Sequence, residues 1–195
     1  MADNTWNAPM PQWGDAVDDY DFGSLKTTRN RAFDNKNINY IYRKLRDRGF
    51  DNLRIAAILG TIVEESGGNP YAVSPDGKFS GLMQWEGSRY SINPFMATDP
   101  RRELDRQIDY IVSSLDNTTD QKSWTHGGAG SGYGKAIEAH DEFRKSDDLQ
   151  RIVYALNRGY VRPAGKNDSV NNRHNVASQI LETISVPASI AKKLK

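Results

Sequence analysis

Two adjacent carboxylates, Glu64 and Glu65, close the most apolar stretch of the chain, Ile55-Ala56-Ala57-Ile58-Leu59-Gly60-Thr61-Ile62-Val63. At about 100° per residue, Ile55, Ile58, Ile62 and Glu65 follow i, i+3, i+7, i+10 and share one stripe, while Glu64 falls on the opposite side. The spacing predicts a helix that aims Glu65 into the protein and Glu64 at water. Enclosure disfavours the charged form of a carboxyl group, which suits a general acid working near neutral pH. The plainer alternative is a frayed, solvated last turn. If the phase holds, Glu65→Gln removes a transferable proton, whereas Glu64→Gln changes little.

Other chemistries find little support. The chain has no cysteine, which removes disulfide frameworks, thiol nucleophiles and Cys-type zinc clusters. His126, His140 and His174 are scattered without an i, i+4 pair, so no metal site is expected, and no cofactor is implied. Ser, His and Asp occur without a nucleophile-elbow motif. The glycine-rich stretch 127–134 lacks the Gly-Lys-Ser/Thr ending of a phosphate loop. With 26 Lys+Arg against 25 Asp+Glu, a net charge of +1, the chain lacks the basic excess of a nucleic-acid binder. Its longest apolar run falls far below the ~20 residues of a membrane span. The N-terminus shows neither a basic n-region nor an apolar h-region, so no signal peptide is expected.

The elements that must position Glu65 can be read in order. Residues 1–36 look like an extended arm, with Trp6 and Trp13 in a polar stretch that changes from acidic to basic and keeps no helical or strand period. From Asn37 the residues Ile38, Ile41, Tyr42 and Leu45 recur at helical spacing up to Gly49, a C′ residue. Asp51 caps the second helix, which Gly67-Gly68 closes. Tyr71 and Val73, then Phe79 and Leu82, flank the turn Ser74-Pro75-Asp76-Gly77, so a short β-hairpin is expected. Thr98-Asp99-Pro100 opens a third helix with Leu104, Ile108, Ile111, Val112 and Leu115 inward. Further helices are expected at about 135–145, 147–158 and 171–185, and a basic tail over 187–195.

The run Glu65-Ser66-Gly67-Gly68-Asn69-Pro70-Tyr71-Ala72-Val73-Ser74-Pro75-Asp76-Gly77-Lys78-Phe79-Ser80-Gly81-Leu82-Met83-Gln84-Trp85 resembles the active-site signature of lytic transglycosylases and goose-type lysozymes. There, a Glu-Ser ends a helix, a turn follows, and a Gly-Leu-Met-Gln segment closes the motif. The closer likeness is to the phage tail lysozyme family. It extends over Ala56 to Ile62, over Gln84-Trp85-Glu86-Gly87-Ser88-Arg89, and over Gly159-Tyr160-Val161-Arg162-Pro163-Ala164 followed by Arg173 and Ala177. Together these cover residues 37–185. Where single-domain transglycosylases carry Ala-Tyr-Asn-x-Gly, this chain has Ala155-Leu156-Asn157-Arg158-Gly159, with Tyr154 and Tyr160 alongside.

The resemblance implies a mainly α fold, lysozyme-like α+β with a small β-hairpin lobe, in a catalytic domain spanning 37–186. It implies cleavage of the peptidoglycan glycan strand, with Glu65 protonating the glycosidic oxygen as an oxocarbenium-like transition state forms. Asp76 and Glu86 are the candidate second acids that would position a water. Ser66, Gln84, Trp85, Asn157 and Tyr160 are the candidate substrate contacts, Gln84 through its amide and Trp85 by stacking on a sugar face. The expected setting is a phage virion, its tail acting on the host periplasm and cell wall, with neighbouring tail proteins held through residues 1–35. Hydrolysis at N-acetylmuramic acid is expected, with lytic transglycosylation to 1,6-anhydro ends as one alternative. A catalytically silent glycan-binding or structural virion component is the other.

Overall fold

A computed structural model describes residues 20–27, 34–87, 90, 92, 99–116, 124, 136–161 and 168–186. Trp6, Trp13, Arg89, His126, the stretch 127–134, Arg162-Pro163-Ala164 and the tail 187–195 lie outside these described residues.

Helix α1 (Asn35–Asp47) starts where the Asp34 carboxylate accepts from the Lys36 and Asn37 amides, supplying partners for donors the first turn leaves open. Its Ile38, Ile41 and Leu45 are fully buried. Asp51 caps α2 (Asn52–Ser66) in the same way through the Arg54 amide. Gly67 ends α2 in the left-handed conformation, φ 63°, and its N–H returns to the Val63 carbonyl, a closure glycine makes without a Cβ penalty. The chain then turns into a small hairpin, β1 (Phe79–Ser80) antiparallel to β2 (Trp85–Glu86), with Phe79 opposite Glu86 and Ser80 opposite Trp85. Val73 adds an isolated bridge to Ser80. Helices α3 (Pro100–Asp116), α4 (Ala136–Lys145), α5 (Leu149–Ala155) and α6 (Asp168–Ser185) follow. The fold is thus mainly helical with a small two-stranded lobe, the class the sequence predicts.

Helix α2 is the hub. Every residue from Ile55 to Glu64 is buried, because α1, α5 and α6 all pack on it. The closest approach is to α6 at Gly60, where a Cβ would lie 2.9 Å from the Ala177 Cβ, the Ala177 nitrogen and the Arg173 carbonyl. A helix enclosed on all sides has no solvent face, and here the sequence reading needs correcting. Glu64, expected to face water, is 5 % exposed.

Two further departures concern the ends of elements. Residues 20–27 fall in the expected arm, yet Phe22 is fully buried and Leu25 is 9 % exposed. Asn39 of α1 donates to the Tyr20 carbonyl and accepts from the Tyr20 amide, and the Lys26 amide donates to Gln179 of α6. The packed unit therefore reaches back to Tyr20. The helix expected over 147–158 changes at Leu156 into a π-helical turn, Leu156–Val161. At Gly159 a Cβ would lie 2.5 Å from the Ala139 Cβ and 3.0 Å from the Trp124 ring. The widened turn brings this backbone against α4 where no side chain fits.

Two stability outcomes follow. Phe22→Ala should lose about 3–5 kcal/mol, the usual cost of truncating a buried Phe, in urea unfolding; a loss near zero would return residues 20–27 to a loose arm. Gly→Ala in a helix interior ordinarily gains about 1 kcal/mol. Gly60→Ala should instead lose about 1–3 kcal/mol through overpacking against α6, and a gain would show that the two helices are not in close contact.

Candidate active site

Glu65 stands in the last turn of α2, and α1 with its cap, and α6, brace that turn. The Asn37 amide of α1 donates to the Gly68 carbonyl at 3.0 Å, and the Asp34 N–H donates to the Gly67 carbonyl at 3.0 Å. From α6, Arg173 Nη2 donates to Glu65 Oε1. The arginine side chain is 4 % exposed and the glutamate side chain 12 %, so the catalytic candidate is an enclosed carboxylate in an ion pair with a sliver of access to solvent. Gly60 and Glu65 are five residues apart, about 7.5 Å along the helix axis. The close α2–α6 contact at Gly60 fixes where the long Arg173 side chain starts.

The segment after Glu65 is held by a second buried polar group. Gln107 of α3 donates to the Pro70 carbonyl at 2.7 Å and accepts from the Leu82 amide at 2.8 Å, so one side chain ties both ends of the hairpin lobe to α3. Gln107 also donates to Glu103 at 2.8 Å, and the Tyr90 hydroxyl donates to the same carboxylate oxygen at 3.0 Å. Arg106 balances the charge of this fully buried carboxylate, its Nε 3.2 Å away. Burial, then the Glu103 charge, pushes the Tyr90 phenol above its ordinary range. The same two causes, with Asp99, push Tyr71 up to about 12.

Gln84 has φ 50°, a positive value at a non-glycine residue, a conformation that costs roughly 1–2 kcal/mol. Its Nε2 donates to the carbonyls of Ala72 and Gly81 at 3.0 and 3.1 Å. Two carbonyls on one side fix the amide orientation, so the donor group is committed to the lobe and Oε1 is the atom left for a ligand.

The other sequence candidates spread out. Ser66 donates to the Ile62 carbonyl and accepts from the Gly68 amide, so its hydroxyl serves the helix end. Trp85, expected as a sugar platform, is 3 % exposed and packs edge-on against Tyr110 and tilted against Tyr90. It is core, because Ser80 and Trp85 take the inner face of the hairpin and leave Phe79 and Glu86 on the outer one. Tyr160 is fully buried against Trp124. Asn157 is fully buried with neither side-chain polar atom hydrogen-bonded, in the π-helical turn. Such orphaned groups call for an explanation, and π-turns recur at functional sites. Glu86 is exposed. Asp76, at the exposed hairpin tip, accepts from the Ser74 hydroxyl at 2.6 Å and the Lys78 amide at 3.2 Å.

Sequence reasoning did not assign roles to Arg173, Glu103 or Gln107. The signal was there: each is a polar residue on an apolar stripe, Arg173 with Ala177, Ile180 and Ile184, and Glu103 and Gln107 with Leu104, Ile108 and Ile111. A charge at such a position needs a buried partner. A cavity of about 200 Å³ lined by Arg48, Phe50, Arg54 and Phe143 lies at the other end of α2, roughly 20 Å from Glu65 by helical rise. Its Arg54 is spent on the carbonyls of Phe143, Arg144 and Ser146, so this cavity belongs to the packing of α4 and not to the site.

The Asp76 geometry fixes a pH dependence. The Ser74 hydroxyl first, then the Lys78 amide, hold its carboxyl below the ordinary 3.8. Because the folded-state value is depressed, its support of the hairpin is present above 3.8 and fades as pH falls through the lowered midpoint. The Asp76 carboxyl should therefore titrate below 3.8 in a carbon-detected NMR titration, with the Lys78 amide following the same midpoint. A midpoint at or above 3.8 would show that these bonds do not persist in solution.

The model of the family described as phage tail lysozyme matches residues 36–184, a span that begins at α1, ends within α6, and holds Glu65, Gln84, Asn157 and Arg173. No curated protein matches the chain. With a carboxylate enclosed at the end of the hub helix and a matching span that covers most of the 195 residues, the chain belongs to the phage tail lysozyme family, and its activity is of the lysozyme type, degradation of peptidoglycan.

Proposed function

We propose that the protein is a virion-associated muramidase that hydrolyses the bond between N-acetylmuramic acid and N-acetylglucosamine and opens the host wall locally during infection. The observation that carries this reading is the enclosure of Glu65, the acid of the motif, where Asp76 and Glu86 are exposed. An enclosed carboxyl group next to a glycosidic oxygen transfers its proton as the bond to C1 breaks, and positive charge builds on the sugar ring. Inversion then needs a second carboxylate to activate water on the far face of the ring. Asp76 is ionised at neutral pH but tied to Ser74 and Lys78. Glu86 forms no hydrogen bond or ion pair through its side chain with the described residues, which makes it the better base. The Gln84 Oε1 would accept from a substrate N-acetyl N–H, and the fully buried Asn157 would act from beneath the site through an enclosed water. Residues before Tyr20 are the part of the arm left for contacts with neighbouring tail proteins.

The commitment of Asp76 to the hairpin favours a second reading, lytic transglycosylation, in which Glu65 acts alone as acid and then base and the muramyl 6-hydroxyl displaces water. Mass spectrometry of digests of purified peptidoglycan separates the two. Hydrolysis leaves reducing muramic ends, lost in Glu86→Gln; transglycosylation leaves 1,6-anhydro ends insensitive to Glu86→Gln and Asp76→Asn. In either case Glu65→Gln should lower turnover by ~10²-fold or more. Undiminished activity in Glu65→Gln would remove Glu65 as the acid, and no activity in the wild type would leave only a silent scaffold. Glu64→Gln, being buried, is expected to alter stability as well, and is a poor neutral control.

A further inference from the structure

We propose that Arg173 is a positioning residue of the reaction, placed by α6 to receive the negative charge that develops on Glu65 as it gives up its proton; this rests on the glycosidase reading of the site. The ion pair joins the last turn of α2 to the first half of α6. Both partners are nearly enclosed, and an arginine stays charged throughout. Glu65, paired with Arg173 as a carboxylate, takes a proton from solvent as the substrate binds, and in the first step that proton passes to the glycosidic oxygen. The C1–O bond breaks with its electron pair going to that oxygen, the ring becomes an oxocarbenium ion, and Glu65 is left as a carboxylate. That carboxylate is the form bonded to Arg173 in the structure. A donor already in place where charge appears lowers the barrier without reorganisation at the moment of reaction, and in a dry site this exceeds what it would do in water. A Cβ at Gly60 would lie 2.9 Å from Ala177 and from the Arg173 carbonyl, so glycine there lets α6 approach closely enough for Arg173 to start beside the acid.

The experiment compares the full-length wild type with Arg173→Met, Arg173→Lys, Glu65→Gln and the Glu65→Gln/Arg173→Met pair. It measures steady-state release of muropeptides from purified peptidoglycan and urea unfolding. Arg173→Met should lose ~10²-fold in kcat, the scale for removing one preorganised donor, with apparent KM changed by less than about twofold. Arg173→Lys should recover about tenfold of that loss. In unfolding, each single change should destabilise, and the double variant should be no less stable than either single, since it leaves no charge unpaired. Wild-type kcat in folded Arg173→Met, a loss confined to KM, or independent additive losses of stability would each overturn the proposal while leaving the glycosidase reading intact. A wild type no more active than Glu65→Gln would remove that reading, and this inference with it.

Discussion

A carboxylate cannot sit at the end of a helix enclosed on every side unless something cationic or protonated sits with it. Desolvation of an ion costs several kcal/mol even after the surroundings relax. Helix α2 is such a helix, buried from Ile55 to Glu64, and the Glu65–Arg173 pair is how the fold meets that constraint. Much else follows from it. Helix α6 must lie close enough to bring Arg173 to the acid, so Gly60 and Ala177 keep small side chains at the crossing. The turn after Ser66 must not fray, so Asn37 and the Asp34 amide hold the carbonyls of Gly68 and Gly67. Glu65 thus stands at the end of a helix packed on every side, and a reacting group is best held on such a rigid element.

The hairpin lobe meets the opposite requirement. It is only two residues deep in each strand, too little to be stable alone, and its stability comes from α3. Gln107 bonds Pro70 and Leu82, and beneath it Glu103, Tyr90 and Arg106 form a buried polar cluster, hydrogen-bonded at one Glu103 oxygen and ion-paired at the other, in place of an apolar contact. Such clusters specify one arrangement when complete and are costly when broken. The strained backbone at Gln84 is tolerated for the same reason, since its side-chain amide repairs the lobe by bonding Ala72 and Gly81.

Patterns of capping and period carried most of the fold into view. Asp51 acts as a helix cap, Gly67 as a left-handed stop, and the Leu104–Leu115 stripe packs inward, all features with local causes. The Glu65 motif was legible because it is contiguous. What was not legible is non-local. The phase of α2 put Glu64 in water because a helical wheel assumes a solvent face, and only the packing of three neighbouring helices shows that none exists. Trp85 read as a platform because an aromatic beside a motif looks the same whether the pleat turns it in or out. Phe22 and Leu25 sit among polar residues without a period, and only the groove between α1 and α6 makes them core. The π-turn at Leu156 depends on Gly159 meeting Ala139 and Trp124, contacts that no window around residue 156 contains.

Segments far apart in the chain meet in the folded molecule. Tyr20 reaches the Ile184 carbonyl across 164 positions and Lys26 reaches Gln179 across 153, while Arg173 and Glu65 are 108 apart. Contacts of such long separation form late, because the loop they close must be ordered first. Synthesis runs from the N-terminus, and an emerging chain can assemble α1, α2 and the hairpin long before α6 exists. Until then the acid has no arginine, and the groove that receives Phe22 has one wall missing. An emerging chain therefore carries its candidate site unfinished, and α6, the last of the described helices, completes both the core and that site.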